Sequence, residues 1–330
     1  MIETSVDTLA DFCEGLGIRG PLQIEPVGNG RNSRVERISN GDGEWILKRY
    51  FAPGAQTRDR LAVEYGFLEY LQASGVADVA RPLGCDRASH FAIYTKLPGR
   101  RVDTITDDHI AQAARFIAAI NRDASSAQAH AQALALPRAA DACATLGDHL
   151  GLVSARLSQF AEMPATTDLE HQVRDWIATR LVPASAAIER SLRAHASAAD
   201  RIVPILSPSD FGFHNVLDDN GHLSFVDFEY AGWDDPAKLA CDFLCQPEIP
   251  VSAAHGMQFV DMLAHSVAPG TALVERVALL LPVHRLKWCC ILLNEFRAEH
   301  RARRLHAGIE ADGMLAAQFD KARRYFAQHF

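Results

Sequence analysis

Two clusters of turn-forming residues near the start constrain the fold more than anything else in the chain. Gly28-Asn29-Gly30 and Asn40-Gly41-Asp42-Gly43 separate three short segments rich in β formers, Leu22–Val27, Ser33–Ser39 and Glu44–Tyr50. Such Asn, Asp and Gly clusters close tight hairpins, so the three segments read as a three-stranded antiparallel meander. Next, Arg58–Ser74 carries Leu61, Tyr65, Leu68 and Leu71 at helical spacing, and Gly75 is placed to end that helix. A further strand pair follows around Val79–Leu83 and His90–Thr95, before Leu97-Pro98-Gly99 breaks the pattern. The first hundred residues thus read as strands and turns around one helix.

From Asp107 onward the texture changes to Ala-rich helical stretches such as His109–Asn121 and Leu169–His195, with Pro137, Pro164 and Pro183 at joints or early turns. Short strand-like pieces, Ile202–Leu206, Val216–Leu217 and Leu223–Val226, interrupt the helices, which resume at Ala237. This is an α+β arrangement, and 330 residues suffice for two lobes with a sizeable core.

The charge balance of 33 basic against 41 acidic residues gives net −8, which carries no nucleic-acid or membrane-surface footprint. There is no signal-peptide pattern at the start and no run of 18 apolar residues. The seven cysteines are sparse and lie mostly in apolar contexts, the pattern of reduced, buried thiols in a cytoplasmic protein.

The chemistry sits in Ser207–Leu217 (SPSDFGFHNVL) and Phe225–Pro236 (FVDFEYAGWDDP). Asp210, Asn215 and, at the end of a strand, Asp227 offer three hard oxygen groups in order. Phosphoryl transfer asks for such a set: an Asp to orient and deprotonate a hydroxyl, an Asn and an Asp to hold Mg²⁺. Taken alone, a pair of surface turns accounts for these residues equally well, because Asp and Asn favour turns.

The N-terminal segments shift that balance. Gly28-Asn29-Gly30-Arg31-Asn32-Ser33 joins the first two strands, where backbone N–H groups could lie over phosphates. Lys48 stands in the apolar run Trp45-Ile46-Leu47-Lys48 of the third strand, a place where a lysine needs a reason. Sixteen residues on, Glu64 lies mid-helix. A Lys on the third strand paired with a Glu on the following helix clamps the α- and β-phosphates of a nucleotide. Five sparse signals in the right order outweigh the separate bland readings of each.

In these segments the chain resembles the aminoglycoside phosphotransferase and choline-kinase-like family of small-molecule kinases. The resemblance covers Val27–Ser33, Leu47-Lys48, Glu64, the hinge-like Tyr94–Gly99, Asp210–Leu217 and Val226–Pro236. It implies a bilobal protein-kinase-like fold, with a nucleotide-binding lobe at residues 1–97 and a helical lobe at 98–330 holding the catalytic loop, metal loop and substrate site. It implies ATP and Mg²⁺ as cofactors, Asp210 as catalytic base, and Asn215 and Asp227 as metal ligands. Gly28, Gly30, Ser33, Lys48, Glu64, Thr95 and Leu97 would contact the nucleotide.

The departure lies at Pro208-Ser209, where the family usually has His-Gly. In related folds that His buttresses the metal segment and transfers no proton, so the change touches loop geometry and leaves the reacting groups in place. The acceptor would be a small-molecule hydroxyl on a sugar, amino alcohol or aminoglycoside-like compound. Glu229, Trp233, Trp288 and Glu295 are candidates to receive it, the last two seven apart and so on one face of a predicted helix. Two other classes compete: a nucleotide-binding pseudokinase with a regulatory or scaffolding role, and a protein kinase. The protein-kinase reading lacks an extended activation segment ending in Ala-Pro-Glu after Asp227.

Overall fold

The computed structural model describes residues 6–27, 33–51, 58–122, 127–195, 202–300 and 313–330. Gly28 and Gly30, of the first predicted turn, lie outside the described residues. The meander forms as β1 (Gln23–Pro26), β2 (Ser33–Ser39) and β3 (Glu44–Tyr50). With β4 (Pro82–Asp86) and β5 (Phe91–Thr95) it makes an antiparallel five-stranded sheet in the order β1-β2-β3-β5-β4. Lys48 stands on the central strand, opposite Val35 on one side and Ala92 on the other.

Strand alternation gives β3 two faces of different character. Leu47 packs with Ile38, Phe91 and Ile93 against Leu9 and Cys13 of α1 (Val6–Gly15). The sequence texture suggested a single helix in this region; α1 is a second one, a ten-residue segment whose Val6, Leu9, Ala10 and Cys13 do fall at i, i+3, i+4 and i+7, a signal the strand-and-turn reading passed over. The opposite face, with Ile46 and Tyr50, meets α2 (Arg60–Ala73), whose Leu61, Phe67, Leu68 and Leu71 are buried. Asp59 caps α2 by accepting the Ala62 N–H at 2.9 Å, and Gly75 closes it at φ +75°. Each large apolar side chain buried here contributes about 1.5–3 kcal/mol.

Beyond the sheet come β6 (Arg100–Arg101), α3 (Asp107–Ile120), α4 (Ala127–Ala135) and α5 (Leu146–Ala161). The predicted helix over Leu169–His195 is built as α6 (Asp168–Trp176), a π turn at Ile177–Leu181 and α7 (Val182–His195). Pro183 lies just past the π turn within this continuous helical run, so its missing N–H falls where the regular i→i−4 ladder is already interrupted. The strand-like pieces become β7 (Ile205–Ser207), β8 (Val216–Asp219) and β9 (His222–Phe225), joined by β10 (Gly232–Asp234). These form two small antiparallel units, β6-β8-β9 and β10-β7. Then follow α8 (Pro236–Cys245), α9 (Ala253–Ser266), α10 (Leu273–Leu292) and a C-terminal helix, Met314–His329.

Aromatic rings tie the chemical loops to the core. Phe228, next to Asp227, lies 5.3 Å from Phe67 of α2. Phe211, next to Asp210, stacks 5.7 Å from Phe243 of α8, which itself stacks 3.9 Å from Phe259 of α9. Asp210 and Asp227 are therefore each followed by a phenylalanine that anchors the loop by burial. A second core joins α5, α6, α7, α10 and the C-terminal helix. No helix among the described residues is long and apolar enough to cross a membrane.

Candidate functional site

A cavity of about 360 Å³ opens between the five-stranded sheet and the β8–β9 hairpin. Its apolar part is walled by Val27, Ile46, Ala80, Tyr94, Leu217 and Phe225. Its polar part gathers residues from six separate stretches: Ser33, Lys48, Glu64, Thr95 to Leu97, Asn215, and Asp227 with Glu229. Of the residues singled out in the sequence, these eight line one space. Asp210, Trp233, Trp288 and Glu295 do not line it.

Lys48 is the hub. Its Nζ donates to Glu64 Oε2 at 2.7 Å and to Asp227 Oδ1 at 2.6 Å, and lies 3.7 Å from Glu229 Oε2. Burial alone would lower the lysine's pKa, but Asp227, Glu64 and Glu229 outweigh it and hold the ammonium charged, well above the ordinary value. Glu64 is fully engaged: Oε2 also accepts the Tyr50 hydroxyl at 2.7 Å, and Oε1 accepts the Phe228 N–H at 3.2 Å. The same carboxylate thus fixes the lysine and the backbone one residue past Asp227. Tyr50 and Tyr94 share a 2.7 Å hydrogen bond behind it.

Glu229 is buried and turned inward. Its Oε2 accepts the Ser33 hydroxyl at 3.0 Å, and its Oε1 lies 3.4 Å from Arg60. Burial, with the Asp227 charge adding to it, pushes its pKa up to about 7 against the pull of Lys48 and Arg60. Carboxylate oxygens of Glu64, Asp227 and Glu229 lie within 4.8 Å of one another. Lys48 and Ser33 already occupy two of these acids, whereas the Asp227 side chain is 38 % exposed to the cavity it shares with Asn215. Hard oxygen donors on that open side suit a magnesium ion.

The catalytic-loop candidates follow β7. Asn215 Nδ2 donates to the Asp210 carbonyl at 2.9 Å, and the Asn215 carbonyl accepts the Val226 N–H at 3.1 Å. Asn215 therefore stitches the Asp210 loop to the strand that delivers Asp227. His214, given no role from the sequence, places Nε2 3.2 Å from Asp210 Oδ1. Its signal in the sequence was only the i, i+4 interval.

At Pro208-Ser209 the backbone makes a tight turn, with Asp210 N–H on the Pro208 carbonyl at 3.0 Å. Ser209 has φ +69°, a left-handed value that a glycine takes freely and a serine takes at a cost. Its N–H is held by Ser207 Oγ at 3.0 Å, and its hydroxyl donates to the Ala140 carbonyl at 3.2 Å.

The acceptor candidates are dispersed. Trp233 is half-buried in β10, with Nε1 on the Ala133 carbonyl at 3.0 Å. Trp288 packs in the second core, where Nε1 is buried with no hydrogen-bond partner among the described residues. Glu295 is also buried, but not on the helix of Trp288: α10 ends at Leu292, and Glu295 lies in the short turn Asn294–Phe296.

Residues 23–270 match the model of the phosphotransferase enzyme family. Among curated proteins, none matches the chain. Solved structures share its fold at low identity. A spectinomycin phosphotransferase crystallised with ADP and spectinomycin has a TM-score of 0.64 at 11% identity, covering 99% of this chain and 95% of that one. An ethanolamine kinase from Plasmodium vivax has a TM-score of 0.59 at 12% identity, covering 96% and 91%. A choline kinase from Streptococcus pneumoniae has a TM-score of 0.59 at 13% identity, covering 98% and 99%. With three quarters of its length inside the family model and the fold of these kinases throughout, the chain belongs to the phosphotransferase enzyme family.

Proposed function

We propose that the protein transfers the γ-phosphoryl group of ATP, with Mg²⁺, to a hydroxyl of a small molecule: a sugar, an amino alcohol or an aminoglycoside-like compound. The observation that carries this reading is the convergence of Lys48, Glu64, Asn215 and Asp227 on one cavity, with Asp210 held to Asn215 at the catalytic loop. Residues 1–97 form the nucleotide-binding lobe in this reading, and residues 98–330 carry the catalytic loop, metal loop and acceptor side.

Adenine occupies the apolar part of the cavity against the backbone of Thr95 to Leu97. Lys48, fixed by Glu64, holds the phosphates with Ser33 beside it, and Gly28 and Gly30 are kept as phosphate contacts from the sequence alone. Asn215 and Asp227 would hold a magnesium ion, which would neutralise phosphate charge. Asp210, 36 % exposed, orients the acceptor hydroxyl and takes its proton. Glu229 we place on the nucleotide side, because its carboxylate meets Ser33 and Lys48.

On the acceptor side we keep Trp233, Trp288 and Glu295, with Trp288 foremost because its buried indole N–H has no partner among the described residues. All seven cysteines are unpaired and six are buried, which supports a reducing, cytoplasmic setting. A thermal-shift titration with ATP and Mg²⁺, then phosphate transfer to sugars and amino alcohols, tests the assignment. Nucleotide binding unchanged in Asp210→Asn, with transfer to no acceptor, would favour the scaffolding alternative.

A further inference from the structure

Behind the catalytic loop lies a buried ionic cluster that phosphate transfer does not by itself require. Lys238, on the first turn of α8, is 1% exposed. Its Nζ lies 2.7 Å from Asp234 Oδ2, 3.3 Å from Asp242 Oδ2 and 3.5 Å from Ser209 Oγ. An ammonium has three N–H donors and no acceptor, so these three oxygens match its capacity. Burial would lower the lysine's pKa, yet Asp242 and Asp234 outweigh it and keep the charge. Lys287 pairs with Asp242 on the far side. Asp234 Oδ1 accepts the N–H groups of Cys143 and Asp235, which fixes the segment whose Ala140 carbonyl receives the Ser209 hydroxyl.

Ser209 is therefore held twice by its side chain, at the residue directly before Asp210 and at a positive φ that a serine does not favour. The neighbouring Pro208 has no side-chain donor to contribute. We propose that Ser209, anchored through its hydroxyl by Lys238 and the Ala140 carbonyl, is a positioning residue for Asp210 in place of a histidine buttress. This rests on the reading of Asp210 as the catalytic base.

Ser209→Gly separates the anchor from the backbone. Glycine fits φ +69° better than serine, so if conformation alone mattered the variant would match or exceed the wild type. Lys238→Met removes a charge between two carboxylates and can unfold the protein, so Ser209→Gly carries the test. Amide hydrogen exchange across residues 207–215 of the full-length protein should quicken at least tenfold in Ser209→Gly, with exchange in β3 unchanged. In steady-state transfer, kcat should fall at least tenfold while KM for ATP stays within twofold. Wild-type protection over residues 207–215, or wild-type kcat in Ser209→Gly, would overturn the proposal. Asp210→Asn, assayed in parallel, judges the base assignment separately: full activity there removes that reading, while the exchange result still decides whether the anchor holds the loop.

Discussion

Lys48 Nζ sits 2.6 Å from Asp227 Oδ1, although 179 residues separate the two along the chain. The contact places the central strand of the sheet against the Asp227 loop, with Glu64 bonded to both sides of it. A nucleotide bound in the cavity would meet the lysine, the acid and the amide of Asn215 together.

Asp227→Ala removes the carboxylate proposed to hold magnesium and leaves the Lys48–Glu64 pair in place. Magnesium-dependent transfer should drop by about a thousandfold or more, while circular dichroism and the melting temperature stay near wild type. Wild-type-like turnover would refute the metal role.

Trp288→Phe keeps the ring's bulk and deletes the unmatched indole N–H. If an acceptor group satisfies that donor, its KM should rise by about 2–10-fold, the range of one neutral hydrogen bond, with KM for ATP unchanged. An unaltered acceptor KM would remove Trp288 from the acceptor side.

Gly232 has φ +154°, and a Cβ there would lie 2.2 Å from the Pro137 carbonyl oxygen. That close approach lets β10 and the Pro137–Ala139 segment exchange the Trp233 N–H and carbonyl bonds, both at 3.0 Å. Gly232→Ala should lose at least about 2 kcal/mol in chemical denaturation. Retained stability would mean the segment shifts at little cost.

His284 is fully buried; burial and the adjacent Lys287 ammonium pull its pKa down to about 3, against Asp242. An unfolded histidine titrates near 6.5, so between about pH 6.5 and 3 the unfolded chain binds a proton that the folded one refuses. Stability from this group is complete above about pH 6.5 and falls as pH falls, by at most about 1.4 kcal/mol per unit. Urea unfolding at pH 7 and pH 5 should show a shallower loss in His284→Gln than in the wild type. Equal losses would contradict the assignment.

The residues that line the cavity were legible in the sequence because several are out of place unless they serve something. A lysine inside Trp45-Ile46-Leu47-Lys48 and glycines between short strands stand out without any structure. The supporting shell was hidden for the opposite reason. Asp234, Lys238 and Asp242 recur at i, i+4 intervals, the pattern of a solvated helix face, and yet all three are buried. Only the packing of α10 against α8, which brings Lys287 to Asp242, reveals the cluster. The pairing of His214 with Asp210 depends on the tight turn around Phe213–Asn215, which local composition does not specify. Likewise, Trp288 and Glu295 share a helical interval, but the helix stops at Leu292 before reaching the second of them.

The central claim is that Asp210 prepares an acceptor hydroxyl for a phosphoryl group bound by Lys48 and Asp227. Its most direct measurement is transfer of label from γ-³²P-ATP, with Mg²⁺, to a panel of sugars, amino alcohols and aminoglycosides, using wild type and Asp210→Asn side by side. The account predicts a labelled small-molecule product from the wild type and at least about a hundredfold less from Asp210→Asn, with ATP binding equal in the two. Equal labelling by both proteins would contradict it, as would a wild type that binds no ATP.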